Sequence, residues 1–195
     1  MGTPPHEHTD QPTDDEPPHW PLLRDEELAD CRVFSVRRTR VRSPVTGSEH
    51  DFFRLDSTDW INVIPLTPDE RVVMVRQYRH GTRRVTLEVP GGMIDPGETP
   101  EQAGARELRE ETGYALRELE LLGSVDPNPA LFSNQCYSAL ATGVHQVGAI
   151  QNEGTEDTRV VLVPLSEIPE LIRSGAITHA LVIAAFHWLG LREKR

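Results

Sequence analysis

The segment from Gly92 to Tyr114 constrains the fold more than any other part of this chain, because it specifies one helix together with its start, its end and the turn before it. Thr99 is followed by proline at the next position and glutamine at the third. Threonine caps a helix, proline suits its first turn, and glutamine returns a hydrogen bond to the cap. Gly113 supplies the left-handed residue that ends a helix. The spacing predicts one helix over residues 100–112, entered from a turn at residues 95–97.

Glu110 and Glu111 lie three and four positions after Glu107, so the three glutamates share one face of that helix. Carboxylates that close repel one another unless a cation lies between them. Mg²⁺ suits such a site because it prefers carboxylate oxygens and keeps waters and phosphate oxygens in its other positions. The glycines of Pro90-Gly91-Gly92 let the backbone approach a ligand closely. The pattern predicts a site for Mg²⁺, with Mn²⁺ as an alternative; a solvated acidic face with intrahelical salt bridges is the competing interpretation.

The same segment reads G-x5-E-x7-R-E-U-x-E-E-x-G-U, where U is aliphatic and Glu98 and Arg106 are the first two charged positions. This pattern is the Nudix box, and the chain resembles a Nudix hydrolase; the final position, usually aliphatic in that family, is Tyr114 here. The resemblance implies an α/β fold, the Nudix α/β/α sandwich with a mixed sheet. It also implies an enzyme that uses a divalent metal to cleave a nucleoside diphosphate joined to another group.

Length and charge limit the classes of protein to which the chain can belong. At 195 residues it is long enough for one catalytic domain with a sizeable core, and its net charge of −11 argues against a general nucleic-acid binder. No apolar run approaches the length of a membrane span, and the first residues lack the basic and apolar regions of a signal peptide. Cys31 and Cys136 show no metal-ligand spacing and suit a reducing compartment. We expect a cytoplasmic protein without a nucleic-acid or membrane partner.

The chain divides by composition into three parts. Residues 1–20 form an acidic, proline-rich tail that cannot bury enough surface to fold, so they are predicted to be disordered. Residues 21–58 are predicted to contain an N-terminal β-hairpin with strands over 31–42 and 49–56. Residues 59–195 are predicted to form the hydrolase domain.

Within the third part, apolar runs and turn residues predict a mixed sheet flanked by helices. The predicted strands are Trp60–Leu66, Val72–Tyr78, Thr86–Val89 and, by number, 118–126, 135–142 and 158–163. The predicted closing helices are Leu165–Ser174 and Thr178–Leu191.

Residues outside the box bear on the substrate. Pro129 lies sixteen positions after Gly113, and a proline at that offset resembles the ADP-ribose pyrophosphatase subgroup. The run Arg76–Arg79, the entry Leu87–Gly92 and the closing pattern Glu156–Val160 are similar to the same subgroup. The resemblance implies hydrolysis of ADP-ribose to AMP and ribose 5-phosphate, by a homodimer in which the N-terminal hairpin crosses to the partner and helps to line the substrate site.

One position departs from that subgroup: Gln135 is neutral where a carboxylate is common. The departure leaves other nucleoside diphosphate sugars open as substrates, ADP-glucose and GDP-mannose among them. A dinucleotide, a dinucleoside polyphosphate or a (deoxy)nucleoside triphosphate is disfavoured by Pro129 and the long hairpin. Outside the enzymes, a ligand-sensing module is the alternative, and it is disfavoured because every carboxylate of the box is present.

The resemblance also implies roles for particular residues. The candidate metal ligands are the Gly91 carbonyl and the carboxylates of Glu107, Glu110 and Glu111. The candidate catalytic residues are Glu110 and the loop acids Glu153 and Glu156, one of which would be the general base. A solvated loop acid is the alternative for either of the last two.

Five further residues are candidates for substrate contact. They are Arg79, Glu88, Arg54, Trp60 and Gln135. A structural salt bridge is the alternative for Arg79, and a buried core position is the alternative for Trp60 and for Phe53, the two candidates for stacking on the base. The arginines of Arg37–Arg42 would suit a positive rim for a diphosphate, and a solvated strand face explains them nearly as well.

Overall fold

The structure is a computed structural model, and it describes residues 16–151 and 157–192. The described residues form two compact units. One unit consists of residues 16–57 and 128–133, and the other consists of the remaining described residues.

Some of the predicted features fall outside the residues that the structure describes. Most of the predicted tail, residues 1–20, and both candidate bases, Glu153 and Glu156, lie outside the described residues. Within the described ranges, no helix combines the length and the apolar composition that crossing a membrane requires.

The smaller unit is a three-stranded antiparallel sheet. Its strands, in sheet order, are β1 (Leu22–Asp30), β2 (Ser35–Arg42) and β3 (Glu49–Asp56). The predicted hairpin is present as β2 and β3, although β2 starts later than predicted because residues 31–34 form the turn that leads into it. The sequence pattern does not predict β1, because five of its nine residues are charged and no apolar alternation marks a buried face.

Charged pairs connect the strands of this unit. Arg38 lies opposite Glu26 of β1 and forms an ion pair with it. Arg40 lies opposite Asp51 of β3, with 2.8 Å between Nε and Oδ1. Arg42 pairs in the same way with the first residue of β3. These arginines, predicted as a positive rim, are therefore paired with carboxylates inside the unit.

The larger unit, over its described residues, contains a four-stranded mixed sheet, a three-stranded antiparallel sheet and three α-helices. The four-stranded sheet has the order β7 (Gly91–Met93), β4 (Trp60–Pro65), β10 (Cys136–Thr142), β9 (Glu118–Val125), with β4 and β10 parallel. The three-stranded sheet has the order β12 (Thr158–Pro164), β5 (Arg71–Arg79), β6 (Arg84–Glu88). The two-residue strands β8 (Tyr114–Ala115) and β11 (His145–Gln146) pair with each other. The helices are α1 (Pro100–Thr112), α2 (Ile168–Arg173) and α3 (Ala180–Leu191).

Alternating side chains of the strands pack against helices on opposite sides. Ile61 and Val63 of β4 belong to a core cluster that includes Leu108 of α1. Ile64, the next residue along the strand, belongs to a second cluster that includes Phe186 of α3. Successive strand residues point to opposite faces of a sheet, so this layer of strands is covered by helices on both sides. The predicted α/β class with a mixed sheet is confirmed.

The remaining differences from the prediction have local causes. The helix predicted over Leu165–Ser174 is a 3-10 turn at Leu165–Glu167 followed by α2, because a helix accommodates Pro169 only in its first turn. The last helix begins at Ala180 rather than at Thr178, since His179 is extended. Strands β7, β8 and β11 contain two or three residues each and are too short to show a periodicity.

The close packing of α3 on the four-stranded sheet depends on a glycine. A Cβ atom at Gly123 of β9 would lie 2.5 Å from the Trp188 ring of α3. We predict that Gly123→Ala lowers the free energy of unfolding by about 1–3 kcal/mol, because the indole ring must move out of its packed position. Urea denaturation measures this change.

Gly190 of α3 provides a matched control. A Cβ atom there meets nothing within 4 Å, so Gly190→Ala is expected to raise the free energy of unfolding by up to about 1 kcal/mol through helix propensity. Equal stability changes in the two variants would contradict the packing argument.

Candidate active site

Both ends of α1 are fixed by the contacts that the sequence predicts. The Thr99 side chain accepts a hydrogen bond from the Gln102 N–H at 3.3 Å, and the Gln102 side chain accepts one from the Thr99 N–H at 2.9 Å. Gly113 ends the helix in the left-handed region, with φ of 74°. The side chains on α1 therefore project from a helix of defined length and position.

The acidic face of α1 is largely buried. Glu107 and Glu111 are buried, the latter with 3% of its surface exposed, and Glu110 is half-buried. A buried carboxylate is costly unless donors or cations compensate it. The Gly91 N–H donates to Glu111 Oε2 at 3.0 Å, and Arg106 Nη1 donates to Glu107 Oε1 at 2.8 Å and to Glu110 Oε2 at 3.3 Å. One guanidinium and one main-chain amide thus partner all three carboxylates.

Arg106 also connects α1 to the loop that precedes it. Its Nε and Nη2 donate to the two carboxylate oxygens of Glu98 at 3.0 and 2.9 Å, and Nη2 donates to the Met93 carbonyl at 3.0 Å. The hydrogen bonds from Arg106 hold the pKa of Glu98 below its usual range. The hydrogen bond to Glu98, followed by that to Glu107, raises the pKa of Arg106 further above neutrality. The loop, the helix and the acidic face are therefore joined by one permanently charged residue.

The oxygen atoms on this face are of the type that Mg²⁺ prefers. A Cβ atom at Gly92 would lie 2.3 Å from Glu107 Oε1, so the carboxylate approaches the main chain where any other residue would exclude it. Within residues 16–151 and 157–192, no three carboxylate, imidazole or thiolate groups are close enough to hold a metal by themselves. One or two carboxylates suffice for Mg²⁺, because it retains several waters and binds substrate phosphates. The carboxylate oxygens of Glu107 and Glu111 and the neighbouring main-chain oxygens fit such an ion as ligands.

Arg79 of β5 and Glu88 of β6 form a bidentate ion pair. Arg79 Nε and Nη2 donate to the two Glu88 oxygens at 2.9 and 2.8 Å, and Thr86 Oγ1 donates to Glu88 Oε1 at 2.5 Å. Burial alone would raise the pKa of Glu88, but the hydrogen bonds from Arg79 and Thr86 outweigh it and lower the pKa below its usual value. Burial lowers the pKa of nearby His179. Glu88 is thus a buried anion that accepts two hydrogen bonds from the Arg79 guanidinium.

Trp60 and Gln135 lie side by side where two parallel strands begin. The Trp60 N–H donates to the Gln135 carbonyl at 2.9 Å, and the Gln135 N–H donates to Asp59 Oδ1 at 2.9 Å. The Gln135 side chain accepts a hydrogen bond from Ser124 Oγ at 3.4 Å. Trp60 is half-buried and Gln135 is exposed, so both side chains are accessible to a ligand.

The last two candidates belong to the smaller unit. Arg54 Nε donates to Asp56 Oδ1 at 2.7 Å, and its Nη2 donates to Asp25 Oδ2 at 2.9 Å. Phe53 is exposed, so the interpretation of this residue as part of a buried core is wrong. Arg54 therefore forms ion pairs within its own unit, and its contact with substrate stays a prediction.

Thr86 is a site residue that the sequence pattern does not single out. Its hydroxyl donates to Glu88 Oε1, and the same oxygen lies 3.2 Å from the Gln77 carbonyl oxygen. The available signal is its position two residues before Glu88, since residues two apart in a strand share a face. Threonine is common in strands, so this spacing alone did not distinguish it.

Removing the Arg79 side chain would leave Glu88 buried without its cation. We predict that Arg79→Met lowers the free energy of unfolding at pH 7.5 by about 2–4 kcal/mol, because uncompensated buried charges are expensive. In the variant, burial raises the pKa of Glu88. The decrease in the free energy of unfolding is therefore expected to become smaller as the pH falls and the carboxylate takes up a proton. Urea denaturation at pH 7.5 and pH 5 measures both effects.

Arg71→Met is the control, since Arg71 pairs with Asp69 at 2.6 Å in an exposed turn. Surface pairs of this kind contribute about 0–1 kcal/mol. An Arg79 variant no less stable than the Arg71 variant would show that Glu88 does not depend on Arg79.

The sequence matches one family model and is similar to known enzymes. The model of a family described as "NUDIX domain" matches residues 58–186, which begin where the larger unit begins. The ADP-ribose pyrophosphatase of Mycobacterium tuberculosis is 30% identical over 168 residues, covering 83% of this chain and 79% of that protein. The CMP-5'-(N-acetyl-N-hydroxy-3-aminopropyl)phosphonate hydrolase of Streptomyces rubellomurinus is 35% identical over 172 residues, covering 85% of this chain and 80% of that protein.

A solved structure has the same fold. The crystal structure of an ADP compounds hydrolase matches with a TM-score of 0.76 at 24% identity, covering 87% of this chain and 91% of that one. The family match and the fold match agree with the resemblance carried by the segment from Gly92 to Tyr114.

Proposed function

Since this chain belongs to the Nudix hydrolase family, we propose that it hydrolyses the diphosphate bond of ADP-ribose to AMP and ribose 5-phosphate in a reaction that depends on Mg²⁺. The observation that carries the proposal is the buried acidic face of α1, where Glu107 and Glu111 lie against the glycines that precede the helix. The names of relatives support the substrate: the Mycobacterium tuberculosis protein is an ADP-ribose pyrophosphatase.

The proposed metal ligands are Glu107 and Glu111, with Glu110 and the Gly91 carbonyl as further ligands; Mn²⁺ is the alternative ion. When bound, the ion would neutralise phosphate charge and lower the pKa of a water molecule that attacks phosphorus. Arg106 keeps the carboxylates of α1 near the loop through its hydrogen bonds to Glu107 and Glu110. This preorganisation supports catalysis because the donors need not rearrange during the reaction.

Arg79 is the proposed phosphate contact. Its side chain is 42% exposed, so a diphosphate can approach it while Glu88 holds its orientation. We propose that Glu88 acts through Arg79 rather than by touching the substrate, and that Trp60 and Gln135 contact the base or the sugar. A glutamate of residues 152–156, Glu153 or Glu156, is the proposed general base, and it accepts the proton of the attacking water.

A second candidate substrate is a cytidine nucleotide joined to a phosphonate. The relative from Streptomyces rubellomurinus is named for that activity and is 35% identical over 172 residues. The two candidates share a P–O–P anhydride linked to a nucleoside, and they differ in the base and in the group on the second phosphorus, which is a phosphonate in the cytidine compound. The neutral Gln135, where the ADP-ribose subgroup commonly has a carboxylate, supports keeping this candidate.

A substrate panel tests the proposal. It contains ADP-ribose, ADP-glucose, GDP-mannose, NADH, a diadenosine polyphosphate, a dNTP and the CMP-linked phosphonate, each assayed with Mg²⁺ and with EDTA for release of phosphate-containing products. Metal-dependent AMP release from ADP-ribose, faster than turnover of every other compound, is the expected result. Preference for the CMP compound would establish the second candidate instead.

Replacement of the proposed ligands tests the site. We predict that Glu107→Gln and Glu111→Gln each lower kcat/KM for the best substrate at least about a hundredfold, because each removes an anionic metal ligand and several kcal/mol of transition-state stabilisation. Glu101→Gln, on an exposed residue in the first turn of the same helix, is the control and is expected to retain activity. Full activity of either ligand variant would refute the assignment.

The chain is further proposed to act as a cytoplasmic homodimer without a nucleic-acid partner. The smaller unit supports dimerisation because it leaves Trp20, Leu22, Phe52 and Phe53 exposed. Light scattering is expected to give twice the chain mass of 21.9 kDa. An active species with the mass of one chain would contradict the dimer.

A further inference from the structure

The last turn of α1 carries Glu110 and Glu111 and contains carbonyl groups that no residue within the helix can satisfy. An α-helix leaves its final four carbonyls without intrahelical donors. The Arg109 carbonyl accepts from the Gly113 N–H at 2.9 Å, which is the ordinary contact of a glycine cap. The carbonyls of Glu110 and Glu111 need donors from elsewhere in the chain.

Those donors come from the residues that flank positions 152–156. The Gln151 N–H donates to the Glu110 carbonyl at 2.8 Å. Thr158 Oγ1 donates to the Glu111 carbonyl at 2.9 Å. A Cβ atom at Gly113 would lie 2.4 Å from the Gly148 carbonyl oxygen, so the chain before Gln151 also packs directly on the helix end.

Thr158 is held in place by a different part of the fold. It is the first residue of β12, it pairs with Gln77 of β5, and none of its surface is exposed. Its hydroxyl is therefore fixed by the register of the three-stranded sheet. The hydrogen bond from this hydroxyl to the Glu111 carbonyl therefore holds the last turn of α1 against β12.

We propose that Thr158 is a positioning residue for the metal site, and that its hydroxyl holds the last turn of α1 so that the Glu111 carboxylate stays aligned with the Gly91 N–H. The inference rests on the proposed function, because it assigns Glu111 to the metal. Without the hydroxyl, the Glu111 carbonyl loses this hydrogen bond, and the last turn of α1 is held less firmly against β12. The carboxylate on the same residue moves with it.

Metal binding in the absence of substrate tests the inference. The Kd for Mn²⁺ is measured by titration calorimetry on the full chain for the wild type, Thr158→Val, Thr158→Ser and Thr67→Val. Valine matches threonine in shape but cannot donate, so Thr158→Val is expected to weaken Mn²⁺ binding about three- to tenfold, as loss of an indirect support does. Thr158→Ser keeps the hydroxyl and is expected to bind within about twofold of the wild type.

Thr67→Val separates positioning from general stability. Thr67 is another buried threonine, and its hydroxyl donates to Asp69 Oδ1 at 2.6 Å in the turn between β4 and β5. Its loss is expected to lower the melting temperature without changing the Kd for Mn²⁺. In turnover assays with Mg²⁺, Thr158→Val is expected to raise the Mg²⁺ concentration for half-maximal rate and to leave the KM for the nucleotide substrate nearly unchanged.

The outcomes separate this inference from the function on which it rests. Mn²⁺ binding by the wild type, with the same Kd in Thr158→Val, would overturn the role of Thr158 and leave the proposed function intact. A wild type that binds no Mn²⁺ without substrate would overturn the role of Thr158 in a preformed metal site, and the substrate panel would decide the proposed function independently. If Thr158→Val does not fold, Thr158→Ala removes the same donor without placing a methyl group against the Glu111 carbonyl, and the same comparison applies.

Discussion

The compensation of buried carboxylates on α1 is the interaction on which the rest of the site depends. Glu107 and Glu111 lie where water has little access, so each needs a donor or a cation within the fold. The Gly91 amide and the Arg106 guanidinium meet that need, and they fasten the glycine turn and the following loop to the helix. The charge that suits this face to a metal therefore also determines how the surrounding backbone is arranged.

The strand layer supplies the fixed frame for this arrangement. Side chains of β4 reach both core clusters, so the sheet that continues into Gly91–Met93 is held from both sides. In the adjoining sheet, β5 and β6 carry Arg79 and Glu88, and β12 begins at Thr158. Of these residues, Thr158 contacts α1 directly through its hydrogen bond to the Glu111 carbonyl, and Arg79 and Glu88 are held together by the pairing of β5 with β6.

The parts of this structure that the sequence predicts are those governed by local chemistry. The bounds of α1 follow from Thr99, Gln102 and Gly113, whose capping contacts involve residues within a few positions. The strands that alternate or are continuously apolar are also predictable. Strand β1 is not, because its residues are mostly charged and exposed and show no apolar alternation.

The contacts that complete the site depend on pairing between distant segments. Thr158 donates to a residue 47 positions away, and no local pattern distinguishes it from other threonines at the start of a strand. The burial of Glu88 and its ion pair with Arg79 depend on the pairing of β5 with β6, which the sequence does not reveal. The motif predicts three carboxylates on one face but not that Arg106 is shared between two of them.

The ion pairs of the smaller unit have a consequence for how its strands find one another. A sheet with both faces partly exposed has few apolar side chains to specify its alignment, and a slip of one residue would turn every side chain to the opposite face. Here Arg40 faces Asp51 and Arg42 faces Glu49, so a slipped arrangement would separate these opposite charges. These ion pairs specify the alignment of the strands. Dissolved salt screens the attraction between exposed charges, whereas such screening does not act on the apolar contacts in the core of the larger unit.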